Sequence, residues 1–177
     1  MQECVGLFVQ YLFPIKPIVH EGSLPAAASL FRADVPGLYT DRSPAEWPTV
    51  SSQAIVNNDD LSACRRLALI TAVCPEAAFV LPSQLFPKGE LIADHFLRAS
   101  QRILAKCQEV DIEAPDSSSI VIRYFHSNCT HAAGKLRLSW HLLGEAIRLA
   151  QEMSLYEENS LEGLDPIEAQ LRRNVFW

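Results

Sequence analysis

Apolar residues recur along this chain at the spacing of helix faces, in blocks separated by prolines, glycines and polar clusters. In the block 4–19, Val5, Phe8, Val9, Leu12 and Phe13 share one helical side. Pro14 and Pro17 end that helix, because each lacks an amide hydrogen and restricts the residue before it. Residues 23–31 predict a second, short helix, rich in alanine and capped by Ser23. Between 34 and 58 the periodicity is lost, and Pro36, Gly37, Ser43, Pro44, Pro48, Ser51 and Ser52 predict a long loop.

Periodicity returns after Asn57, Asn58, Asp59 and Asp60, a helix-start cluster, and predicts a helix over 61–74. Pro75 and Pro82 then bracket an irregular piece. The next helix spans 89–107, with Leu91, Ile92, Phe96, Ile103 and Leu104 on its apolar side, and 110–116 is a connection. Asp116 or Ser117 caps a helix over 118–133. Its β-branched run Ile120, Val121, Ile122 would also suit a strand. The pattern continues through Tyr124 and Phe125 to a stop at Gly134, a length that favours helix.

The clearest periodicity covers 139–157. Leu142, Ala146, Leu149 and Met153 form one stripe, and Leu143, Ile147 and Ala150 widen it. Apolar residues on both flanks predict burial on more than one side, with Glu145, Arg148 and Glu152 towards solvent. The last helix begins with Asp165 as cap, Pro166 in the first turn and Glu168 in capping-box register. Glu168 and Arg172 form an i, i+4 pair. The chain ends on Phe176 and Trp177, whose burial would contribute roughly 2 kcal/mol each. That ending predicts a piece of a longer helical protein, truncated at both ends and marginal in isolation. The whole predicts a single, partial, all-α domain over 1–177, an irregular array of about six or seven helices.

Composition narrows the function classes. The 177 residues are 49% hydrophobic and 20% charged, a globular balance. Fifteen Lys and Arg against twenty-one Asp and Glu leave a net charge of −6, a poor match for nucleic-acid phosphates. No apolar stretch approaches the roughly 20 residues that cross a bilayer, so no membrane role is expected. The five cysteines, Cys4, Cys64, Cys74, Cys107 and Cys129, are scattered among apolar neighbours without a C-x-x-C pair. They predict buried reduced thiols in a reducing compartment, not a disulfide framework or zinc site.

Candidate chemistry is sparse. His126, Cys129, His131 and His141 are the one Cys/His concentration. On a helix His126 and Cys129 share a face, but His131 points away, which argues against a tetrahedral metal site. Cys129 beside His126 is the one pair that could make a thiolate nucleophile, and an inert buried thiol is the commoner outcome. Arg172 and Arg173 neutralise too little phosphate for DNA and predict ion pairs with Glu168 and nearby acids. No catalytic, cofactor or metal residue is therefore assigned. The stripe Trp140, Leu142, Leu143, Ala146 and Met153 predicts core, and secondarily a groove for a ligand or partner.

Three segments resemble fungal zinc-cluster transcription factors. SWHLLGEAIRLAQEMSLYEE at 139–158 is similar to their "A-x-R-L-A-x-x-(M/L)-x-L-(H/Y)" stretch. LDPIEAQLRRNVFW at 164–177 resembles the "E-x-E-x-R-R-R-x-F/W-W" segment that follows it, with Asn174 in place of a third basic residue. VQYLFPIKPIVHEGSL at 9–24 looks like the family's opening "Y-F-x-x-x-x-P-x-x-P-I". The resemblance implies the all-helical middle homology (xylanolytic-activator-like) regulatory region, which in the nucleus would restrain or permit activation in response to protein partners or a small-molecule effector. Zinc and DNA binding would then belong to a six-cysteine cluster outside these residues. The alternatives are a small helical enzyme using Cys129 and His126, or a helical adaptor with no link to transcription.

Overall fold

The computed structural model describes residues 1–24 and 58–177. The predicted helix over 23–31, all but its start, and the loop over 34–58, all but its last residue, lie outside the described residues, as does Asn57 of the helix-start cluster. Helix α1, Gln2–Leu7, runs without a break into a π-helical turn, Phe8–Leu12. Then follow α2, Asn58–Val80; α3, Gly89–Glu113; α4, Ser117–Ala132; α5, Leu136–Glu152; a 3₁₀ turn, Glu158–Leu161; and α6, Pro166–Phe176. Among the described residues there is no strand, and the fold is all-α as the periodicity implies.

Helix α2 is the axis of the fold, packed between α1, α3 and α4. Residues 68–78 are buried without interruption. That burial explains why the expected stop at Pro75 does not occur and why 75–80 is helical. An interior proline costs about 3 kcal/mol. Continuing the helix, however, carries Ala77 and Ala78 into the core behind Val73 and Cys74. The main cluster joins Phe8 and Leu12 of the first segment to Ile70 and Val73 of α2, Leu104 of α3 and Phe125 of α4. Phe8 and Phe125 meet edge to face with centroids 5.8 Å apart, a favoured aromatic geometry.

Helix α3 also outruns its expected end, so that 110–113 is helical and only a short link precedes α4. Asp111 accounts for the difference. It is wholly buried and accepts from Arg65 Nε at 2.6 Å, Arg123 Nη1 at 2.6 Å and Ser119 Oγ at 2.8 Å. Arg65 also reaches Asp116 Oδ2 at 3.1 Å and donates to the Ala114 carbonyl. The cluster thus pins the end of α3 and the start of α4 to α2. Asp116 caps α4 reciprocally with Ser119, both bonds being 3.1 Å. Gly134, at φ +76°, ends α4, a left-handed position that glycine tolerates best.

The start of α3 shows a close approach. A methyl group on Gly89 would lie 2.8 Å from Phe86 Cδ1 and 3.1 Å from Ala78 Cβ. Both neighbours are buried. Gly89→Ala is expected to destabilise the chain by about 1–3 kcal/mol through overpacking, read as a lowered midpoint in thermal unfolding.

The C-terminal elements depart from the sequence reading in two respects. Helix α5 ends at Glu152, not 157, because the chain reverses through Ser154 at φ +52°. The reversal turns Leu155 and Leu161 into a cluster with Ile120, Ala146 and Ala169. Asp165 caps α6 as expected, accepting from Ile167 N at 2.9 Å and Glu168 N at 3.3 Å. Glu168 does not complete a box with it. Its carboxylate accepts instead from Ser117 N at 2.9 Å and Ser117 Oγ at 2.7 Å, at the start of α4. A carboxylate there meets free amides and the positive helix end. The pair with Arg172 is present at 2.7 Å, and Arg173 Nε meets Glu158 at 2.8 Å.

Candidate functional site

An apolar groove lies open on the side of α5. The expected burial of both its flanks is not observed: Ser139, Ala146 and Leu149 are its buried residues, while Trp140 is 70% and Ile147 50% exposed. The reason is topological. Helix α4 covers one side of α5, and the described elements leave the other side uncovered.

The groove has a volume of about 440 Å³, within the range of small-molecule sites. Its walls come from four stretches. Helix α4 contributes Ile120, Val121 and Tyr124, and α5 contributes Leu143, Ala146, Ile147 and Ala150. Helix α6 contributes Val175 and Phe176, with Trp177 just past its end, and the segment after α1 contributes Lys16 and Ile18. Of the stripe singled out in the sequence, Leu143 and Ala146 line the groove, whereas Trp140, Leu142 and Met153 do not. Lys16 and Ile18 carried no sequence signal, because only the fold brings the turn after Pro14 against α4 and α6. A bond from Asn174 Nδ2 to the Pro17 carbonyl, 2.7 Å, holds that turn in place.

The aromatic end of the groove is exposed. Trp177 is 92% exposed and meets Phe176 edge to face at 5.0 Å. Lys16, also in the lining, lies over the Tyr124 ring, 5.3 Å from its centroid, and bonds Glu76 Oε1 at 3.2 Å. Glu76 is itself buried, bonded by Asn128 Nδ2 at 3.0 Å, and burial pushes its carboxyl above the ordinary range. The groove therefore offers apolar and aromatic surface, two amides in Gln151 and Asn174, and one cation. No nucleophile and base converge in it.

The Cys/His residues have other partners. His126 is buried, and its Nε2 lies 2.7 Å from Ser100 Oγ. Burial, with Arg123 nearby, holds its pKa down to about 3. The Cys129 thiol faces Glu76, and burial together with that carboxyl pushes its pKa well up. A raised thiol is the reverse of an activated nucleophile. His131 is exposed, and the largely exposed His141 pairs with Glu145 at 3.3 Å. Among the described residues no three His, Cys, Asp or Glu side chains converge on a metal position. All five thiols are free, and four are buried as expected. Cys64 is half-buried and touches Cys107. Among the described residues no helix is long and apolar enough to cross a membrane.

No family model matches the chain, and no solved structure matches it. Two curated proteins are similar. One is the aurofusarin cluster transcription factor aurR2 of Gibberella zeae, 31% identical over 94 residues, 51% of this chain and 13% of that protein. Another is the probable transcription factor sol4 of Alternaria solani, 29% identical over 119 residues, 61% of this chain and 21% of that protein. The chain thus spans a minor part of the length of these relatives. Over half or more of its own length, the chain is similar to fungal transcription factors.

Proposed function

We propose that these residues form a regulatory region of a fungal transcription factor, working in the nucleus and without catalysis of its own. The observation that carries this reading is the similarity to two fungal transcription factors. The three segments that resemble the middle homology region of zinc-cluster factors support it. DNA contact and zinc would fall to a separate six-cysteine cluster, since the five cysteines here are dispersed.

The groove is where control would act. Its volume and apolar lining suit a small, mainly apolar effector, and Lys16 in the lining favours an effector with an acidic or hydrogen-bond-accepting group. Its walls belong to α4, α5, α6 and the turn after α1, so an occupant bridges these elements. An effector that binds one arrangement of these helices more tightly shifts the population towards it.

Fusing the 177-residue chain to an unrelated DNA-binding domain tests this with a reporter gene. The fusion is expected to change transcription relative to the DNA-binding domain alone. Ile147→Asp, which places a charge on an exposed groove wall, is expected to alter output about fivefold or more, the low end of an allosteric coupling. Its thermal midpoint should stay close to that of the parent, because Ile147 is half exposed. Output that neither the fusion nor the substitution changes would refute the proposal.

A further inference from the structure

Two thiols outside the groove are placed for chemistry. Cys64 on α2 and Cys107 on α3 face each other across the packed helix pair, and their sulphurs lie 2.7 Å apart. Both lie near the Ile103 carbonyl, at 3.4 Å from Cys64 Sγ and 3.8 Å from Cys107 Sγ. A disulfide needs sulphurs about 2.05 Å apart, so the two lie close to bonding distance. The two are otherwise unequal. Cys107 is 1% exposed, whereas Cys64 is half-buried and opens to solvent. The Cys64 hydrogen bond lowers the Cys107 pKa against its burial and the Asp111 carboxylate, with a smaller contribution from Arg65, while the Cys64 thiol is pushed up.

We propose that Cys64 and Cys107 are an oxidisable pair, which a peroxide converts into a disulfide tying α2 to α3. One sulphur of the pair, giving up its proton, attacks one peroxide oxygen, the O–O bond breaks, and the departing hydroxide takes that proton to leave as water. The resulting sulfenic acid is attacked by the other sulphur. The sulphur–sulphur bond forms, the S–O bond breaks, and the second thiol's proton leaves with the hydroxyl as a second water. The two thiols lose two electrons, and one peroxide is reduced to two waters.

The position gives the bond a consequence. Cys64 precedes Arg65, and Cys107 lies one helical turn before Asp111, so the cross-link sits on the ion cluster that anchors the start of α4. It joins residues 43 apart in sequence, which restricts the unfolded chain. The other close thiols serve as a comparison. Cys4 and Cys74 also shift one another's pKa, but both are fully buried, with Cys74 Sγ 3.3 Å from Met1 Sδ.

The reduced 177-residue chain should be treated with hydrogen peroxide at low molar excess, alkylated and mapped by mass spectrometry. Loss of two hydrogens, with a peptide link between Cys64 and Cys107 that dithiothreitol removes, is expected. The thermal midpoint of the oxidised chain should rise. Cys64→Ser, at the half-buried position, should abolish the link and the rise, while Cys129→Ser should leave both. Full alkylation of all five thiols after peroxide would overturn the proposal. So would a link confined to other cysteines, or over-oxidation of Cys64 or Cys107 without a cross-link.

Discussion

Asp111→Ala is expected to lower the unfolding free energy by about 3–5 kcal/mol, the cost of leaving buried charge without its partner. That is a large share of the roughly 5–15 kcal/mol that holds a typical domain together. The side chains of Arg65 and Arg123 are 9% and 2% exposed, so water cannot take over from the missing carboxylate. Arg65 would keep Asp116 and the Ala114 carbonyl. Arg123 would keep the Ser119 carbonyl at 2.8 Å and a looser contact to Glu145 at 3.7 Å. The greater part of the penalty therefore falls on Arg123, one of whose terminal nitrogens has no partner among the described residues even with Asp111 present. Urea unfolding measures the effect, and a loss below about 1 kcal/mol would contradict it. Adding Arg123→Met to Asp111→Ala should recover part of the loss, because an apolar side chain of similar volume removes the stranded charge.

Acid is expected to destabilise the chain through His126, by on the order of 3 kcal/mol between pH 7 and about pH 4.5. The native pKa is about 3, against 6.5 for the free side chain. Above 6.5 both states carry neutral imidazole and the full stability is present. As pH falls below 6.5 the unfolded chain takes up a proton that the folded chain refuses, and stability drops until the native pKa is reached. The hydrogen bonding agrees with a neutral ring. Ser100 Oγ donates its one hydrogen to the Ala68 carbonyl at 2.6 Å, so it accepts from His126 Nε2–H. His126→Gln keeps a donor for Ser100 without the titration. Glu76 and Asp116, whose pKa values burial raises, act in the opposite sense, gaining stability as pH falls. Denaturant unfolding across this range should therefore show a falling curve for the parent chain and a flat or rising one for the variant. Equal acid losses in both would remove His126 as the cause.

The groove was only half legible from the sequence. The stripe on α5 marked Leu143 and Ala146, but it could not tell which flank the neighbouring helices would leave open. It favoured the side of Leu142 and Met153, and the groove formed on the side of Ile147 and Ala150. Lys16 and Ile18 belong to a proline-bounded turn without periodicity, and the Asn174 bond to Pro17 spans 157 positions. Buried ionic partners were equally hidden. Asp111 reads as part of a polar connection, yet it is the anion at the centre of the interior charge cluster.

The sequence by itself determined the helical class and most helix starts, along with one clear stop. Asp116 with Ser119, Asp165 with Pro166, and Gly134 act through hydrogen bonds and backbone preferences within three or four residues, so their effect is written locally. The tertiary structure alone decided that α2 continues through Pro75 and α3 through Glu113, and that α5 stops at Glu152. It also decided that Glu168 caps another helix, which side of α5 stays open, and which thiols meet. Each of these depends on what becomes desolvated when distant segments pack, and burial can outweigh a local preference of a few kcal/mol.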